Sequence, residues 1–221
     1  MLLMAEIDRI EISLRRGWAS HLAMLYGPFA NQTASLFKNK SEWRASISTL
    51  MKEYDKSSEI FAKHYLEKYG NLSLPPIWIC VELMTFGNLS RMIDNLDNPK
   101  DRQEIAHLYN LDEVVLVSFL RHLVHVRNCV AHHSRIWNRK FVLKFKVPQN
   151  KSLGLRDYFT YEEDDSKKIY NTLVMIVYLA KLIDPASQIK EDLLKLISDY
   201  PEIDPGAMGF LSNWKDLDYW N

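Results

Sequence analysis

Apolar side chains return every three or four positions along most of this sequence, and that spacing commits the chain to helices. Leu3, Ile7, Ile10, Leu14 and Trp18 mark one face of a helix over residues 2–26, stopped by Gly27-Pro28. Trp43, Ile47, Leu50, Tyr54 and Phe61 do the same over 42–69, with Ser41 and Arg44 at the start and Gly70-Asn71 as the stop. Pro75-Pro76 opens a nearly all-apolar helix over 77–86 that Gly87 ends, and two short helices follow over 89–96 and 99–109. Asp112 is placed to cap a long helix from Glu113 to His132. Asp164-Asp165 is placed to cap another over 166–183, and a last helix runs over 189–197 up to Pro201. Only 7 glycines and 8 prolines interrupt these patterns. The expected fold is therefore an all-α bundle forming one domain over 1–221. One stretch departs from the helical period. Phe141, Leu143, Phe145 and Val147 alternate, which predicts a short β-hairpin or flap over 140–147. Trp214, Tyr219 and Trp220 crowd the tail and are expected to fold back onto the bundle, because rings at that density are costly to leave in water.

Cys80 and Cys129 are too few for a disulfide framework and suit a reducing compartment. Leu173 to Ile183, broken by Lys181, falls short of the roughly 20 residues that span a bilayer. Glu6 and Asp8 follow the first apolar residues too closely for a signal peptide. A cytoplasmic protein with no membrane partner is expected.

Lys plus Arg equals 28 and Asp plus Glu equals 28, so the whole chain carries no sign that would attract a polyanion. The distribution does. Residues 121–156 hold nine Lys or Arg, four histidines and no carboxylate: Arg121, Arg127, Arg135, Arg139, Lys140, Lys144, Lys146, Lys151 and Arg156, with His122, His125, His132 and His133. Such a segment is the footprint of a polyanion partner, or else a solvated basic face paired with acidic neighbours.

The long helix sorts these residues by face. Leu116, Phe119, Leu123, Val126 and Val130 fall within about 80° on a helical wheel and form the core stripe. Arg121, His125, Asn128 and His132 fall within about 60° of one another on the other side. Histidine and asparagine are mediocre helix formers, so something other than helix stability selects them there. Arg127 sits near the core boundary, about 140° from His132. The two act together only if Arg127 reaches round, if the helix ends near Ala131, or if a second subunit supplies one of them. Histidine moves protons near neutral pH, arginine neutralises phosphate through a planar fork, and asparagine orients an oxygen. Arg127, Asn128 and His132 thus suffice for metal-free RNA cleavage by the 2′-OH. Two alternatives use the same residues: a metal site from His122, His125, Cys129 and His132, and a Cys129 nucleophile with His132. Neither matches a tight motif or supplies an oxyanion hole.

The stretch Arg127-Asn128-Cys129-Val130-Ala131-His132-His133-Ser134-Arg135-Ile136-Trp137-Asn138-Arg139 resembles the signature of the Abi-like abortive-infection proteins, the AbiD/AbiF type of phage resistance. Ile7 to Tyr26, Pro76 to Ser90, and Met208-Gly209-Phe210 with Trp214 resemble further segments of that family. Its members begin with some tens of residues before the first of these helices, so the resemblance implies an N-terminal segment that this chain lacks. It also implies membership of the HEPN superfamily of helical domains, defined by Arg-x4–6-His, which Arg127 and His132 satisfy. The function implied by the resemblance is that of a toxin-like, metal-independent endoribonuclease, with Arg127, Asn128 and His132 as catalytic residues facing their copies across a homodimer. Arg121, His125, His133, Arg135, Asn138, Arg139 and Lys140 would contact RNA. No cofactor and no metal are implied, and a neutralising antitoxin, RNA or protein, is. A non-catalytic RNA- or nucleotide-binding HEPN module and a purely structural helical scaffold are the competing readings.

Overall fold

The computed structural model describes residues 2–70, 74–150 and 153–221; Asn71 of the predicted stop signal and Lys151 of the basic run lie outside them. The described residues form nine α-helices and no strand: α1 Leu2–Tyr26, α2 Lys40–Lys56, α3 Ile60–Tyr69, α4 Ile77–Leu83, α5 Phe86–Asp94, α6 Pro99–His107, α7 Glu113–Ala131, α8 Tyr170–Ile183 and α9 Ile189–Asp199. The fold is all-α. Two compact units divide it, residues 12–113 in one and residues 1–11 with 114–221 in the other.

The 12–113 unit buries Trp18, Leu22, Phe37, Ile77, Leu89 and Leu96 completely. Its helices break where short polar side chains compete with the helical ladder. Ser57 is extended, and its hydroxyl accepts from the Glu59 amide, which splits the expected 42–69 helix into α2 and α3. Asn39, not Ser41, caps α2, accepting from the Ser41 and Glu42 amides at 3.0 and 3.1 Å. Thr85 caps α5 through the Asn88 amide, so Gly87 lies inside that helix instead of ending its predecessor. In α1 a Cβ on Gly17 would meet the tip of Leu108, Cδ1, at 2.7 Å, so a larger residue there needs that exposed side chain to turn aside.

The other unit is built on α7 and α8. Ten of the fourteen residues of α8 are buried, and α7 buries Leu116, Phe119, Leu123, Val126 and Val130 as its period requires. Helix α7 is the one described helix long and apolar enough to cross a membrane, although the apolar run singled out by sequence was the shorter one in α8. Half of α7 is buried in the protein, and Arg121 and Asn128 are exposed on another face, which is the pattern of a core helix.

The hairpin expected over 140–147 is absent. The segment's polar backbone groups find partners other than a second strand: Phe141 N–H donates to Lys167 O at 2.7 Å, Lys146 N–H to Ser118 Oγ at 2.9 Å, and Leu143 O accepts from His122. Nor do Asp164 and Asp165 cap a helix from Ser166. Asp164 meets Lys140 and Asp165 meets Lys168, both at 2.8 Å, and α8 begins only at Tyr170 without a side-chain cap. The aromatic tail does fold back. Phe210, Trp214 and Trp220 are buried, Tyr219 donates to Val174 O at 2.7 Å, and the Tyr170 ring packs tilted against Phe210 with ring centres 4.6 Å apart.

Candidate functional site

Helix α7 carries the motif on its last two turns and ends in a Schellman turn. Ser134 N–H reaches Cys129 O at 2.8 Å and His133 N–H reaches Val130 O at 3.0 Å, with His133 left-handed at φ 52. His132 N–H still bonds Asn128 O at 3.0 Å, so helical geometry persists to His132. Arg127 and His132 consequently leave the helix about 140° apart. Five residues on, Asn138 is left-handed again at φ 49. Two non-glycine residues in this region bracket one short segment, and strain of that kind, about 1–3 kcal/mol each, persists where the surroundings or a function require it.

Arg121, Asn128, His132, His133, Arg135, Asn138 and Lys140 are exposed; His125, Arg127 and Arg139 are half-buried. The Arg127 Nε is fully buried and finds no hydrogen-bond partner among the described residues. An unmet buried donor costs about 1–3 kcal/mol, more on a charged group, so Arg127 is held where stability alone would not put it. Lys140 pairs with Asp164, and Lys144 with Glu163 at 2.7 Å, so part of the basic run is a solvated face laced with carboxylates. Exposed pairs of this kind add little. Arg139 lies over the Phe141 ring at 5.8 Å, and the His125 ring meets the same phenyl edge-on at 5.8 Å. Phe141, itself buried, thus fixes two of the expected RNA-binding side chains. Sequence reasoning missed it; its only signal was alternation, which pointed to a hairpin.

His122 does not belong to the site. It is buried, its Nδ1–H donates to Leu143 O at 2.5 Å, and its Nε2 accepts from Thr172 Oγ1 at 2.7 Å. Burial pushes its pKa down to about 4, against the opposing Leu143 bond and with help from His125. Both ring nitrogens are engaged, which removes His122 from any metal set. Among the described residues no three His, Cys, Asp or Glu are grouped to hold a metal ion. Cys129 is buried in the helix, with His125 Nε2 4.0 Å from its sulfur.

The left-handed turn gives a test. His133→Gly is expected to raise stability by about 0.5–1 kcal/mol, since glycine is at ease at that position, while weakening any RNA contact the imidazole makes. Urea unfolding measures the first and RNA binding the second. A less stable glycine variant would show that the side chain is needed for packing.

No curated protein and no solved structure matches the chain. The sequence model of the Abi-like protein family matches residues 1–138, taking in α1 through α7 and the motif as far as Asn138, while Met208-Gly209-Phe210 lies beyond the match. With more than half of its length matched, the chain belongs to the Abi-like protein family, the abortive-infection proteins.

Proposed function

We propose that this abortive-infection protein is a metal-independent endoribonuclease of the HEPN type, cutting RNA through Arg127, Asn128 and His132 of two subunits. The observation that carries it is the half-buried Arg127 with its unpartnered Nε, one residue from exposed Asn128 and five from exposed His132, inside a segment free of carboxylates. In the reaction, the 2′-OH gives its proton to the imidazole of one His132 and bonds to the adjacent phosphorus. The bond from phosphorus to the 5′ oxygen breaks, and the second His132, protonated, supplies that oxygen with its proton. A 2′,3′-cyclic phosphate and a 5′-OH result. Arg127 neutralises the charge that builds on the phosphoryl oxygens, and Asn128 orients one of them. DNA lacks the 2′-OH and is no substrate. Because Arg127 and His132 diverge on one helix, a two-fold axis near its end is what brings an arginine and a histidine to one phosphate. Such a toxin needs a neutralising partner, RNA or protein, before infection.

Purified protein incubated with RNA in EDTA is expected to yield cyclic-phosphate ends, with cleavage following the dimer fraction measured by light scattering. Juxtaposed basic segments should make RNA binding weaken steeply with salt. A strict need for added divalent metal, or full activity in a monomer, would overturn the proposal. The second reading, a non-catalytic RNA- or nucleotide-binding module, is favoured by the same divergence if the chain works alone; it predicts salt-sensitive binding without cleavage.

A further inference from the structure

Just past the motif the chemistry of the surface changes. A cavity of about 420 Å³ opens at the end of α7, walled by apolar side chains that include Val130, Ile136, Trp137 and Leu196. Among the described residues, His133 and Ser134 are the only polar ones lining it. The size lies within the range of about 300–1,000 Å³ typical of small-ligand sites. Apolar walls with two polar groups suit a flat, largely apolar ring and not a phosphate.

We propose that this cavity takes one unpaired base of the RNA, adjoining the phosphate held at the Arg127–His132 motif and stacked on Trp137. The inference rests on the ribonuclease reading above and adds a base-recognition site to it. Three observations point to that occupant. First, Trp137 and Leu196 remain 41% and 49% exposed, so the wall keeps apolar surface in water that a stacked ring would cover. Second, left-handed turns at His133 and Asn138 bracket the wall segment and set the course of the backbone that carries Trp137. Third, the same segment carries Arg135 and Arg139, neither in an ion pair among the described residues, within a run free of acidic residues. Cations beside an apolar slot match a single strand, whose phosphates track the charge while its bases find aromatic faces.

The test is binding of a short, fluorescein-labelled single-stranded RNA, 2′-O-methylated so that it cannot be cut by its own 2′-OH. Trp137→Ala is expected to weaken binding about ten-fold, with Trp137→Phe keeping most of it, since stacking needs a ring. An abasic version of the same RNA should bind wild-type protein about as weakly as the intact RNA binds Trp137→Ala. If Trp137→Ala fails to fold, the abasic comparison on wild-type protein decides alone. Equal affinity of wild-type protein for intact and abasic RNA would overturn the base pocket and leave the ribonuclease reading standing. So would a Trp137→Ala variant that changes only self-association. Wild-type protein that binds neither RNA overturns both.

Discussion

His132→Ala is expected to lower RNA cleavage by at least about a hundred-fold, the usual contribution of a positioned proton-transfer group, and to abolish growth arrest in cells. Its thermal unfolding should stay within about 0.5 kcal/mol of wild type, because an exposed residue beyond the end of α7 has little packing to lose. Arg127→Ala is expected to lose about as much activity, through a different physical route: the group that offsets charge in the transition state is gone. Arg127→Lys keeps the charge but not the planar fork, so it should recover only part. Stability separates this from a structural arginine. The buried Nε has no partner to lose and its removal relieves an unmet donor, while the packed stem of the side chain is lost, so Arg127→Ala should be neutral to stabilising in urea unfolding. A structural ion pair would cost several kcal/mol when one partner is removed. Cleavage at the wild-type rate by either alanine variant, with the fold intact, would end the catalytic assignment.

Most of the helices were legible because a 3.6-residue apolar period is a statement about one element alone. Helix α1 falls where spacing placed it, and α7 starts at Glu113, where the sequence places it after Asp112. What misled was local competition for polar groups. Ser57 and Thr85 each carry a hydroxyl that bonds a backbone amide two or three residues on, breaking one predicted helix and restarting another early. Asp164 and Asp165 looked like caps but are drawn to lysines, one of them, Lys140, distant in sequence. The 140–147 segment alternates like a strand, yet side chains of α7 take its backbone bonds. At the site, exposure of Asn128 and His132 followed from the wheel. The burial of His122 did not, although it sits beside Arg121 on the same helix: its neighbours Thr172 and Leu143 come from other parts of the chain. Nothing local in the sequence separates a core histidine from a working one; the partner across space does.

The second large effect concerns that core histidine. Folded His122 has its pKa at about 4 against an ordinary 6.5, so the folded chain holds it neutral while the unfolded chain lets it take a proton. Above about pH 6.5 the group is neutral in both states and its contribution to stability is fully present. As pH falls from there toward 4, the unfolded state alone gains the proton and stability drops. Below about 4 both states are protonated and the loss levels off, at about 3 kcal/mol. His122→Gln, which can still offer an N–H to Leu143 O and an oxygen to Thr172, has no proton to take up and should lack this slope. Urea unfolding of both proteins between pH 7 and pH 4 reads it out as a difference between two curves, so carboxylates common to both cancel. Parallel curves would mean that His122 is solvated enough to titrate normally. Diverging curves would mean that the folded chain keeps His122 neutral between Leu143 O and Thr172 Oγ1, so that acid draws the protein toward the unfolded state through this one group.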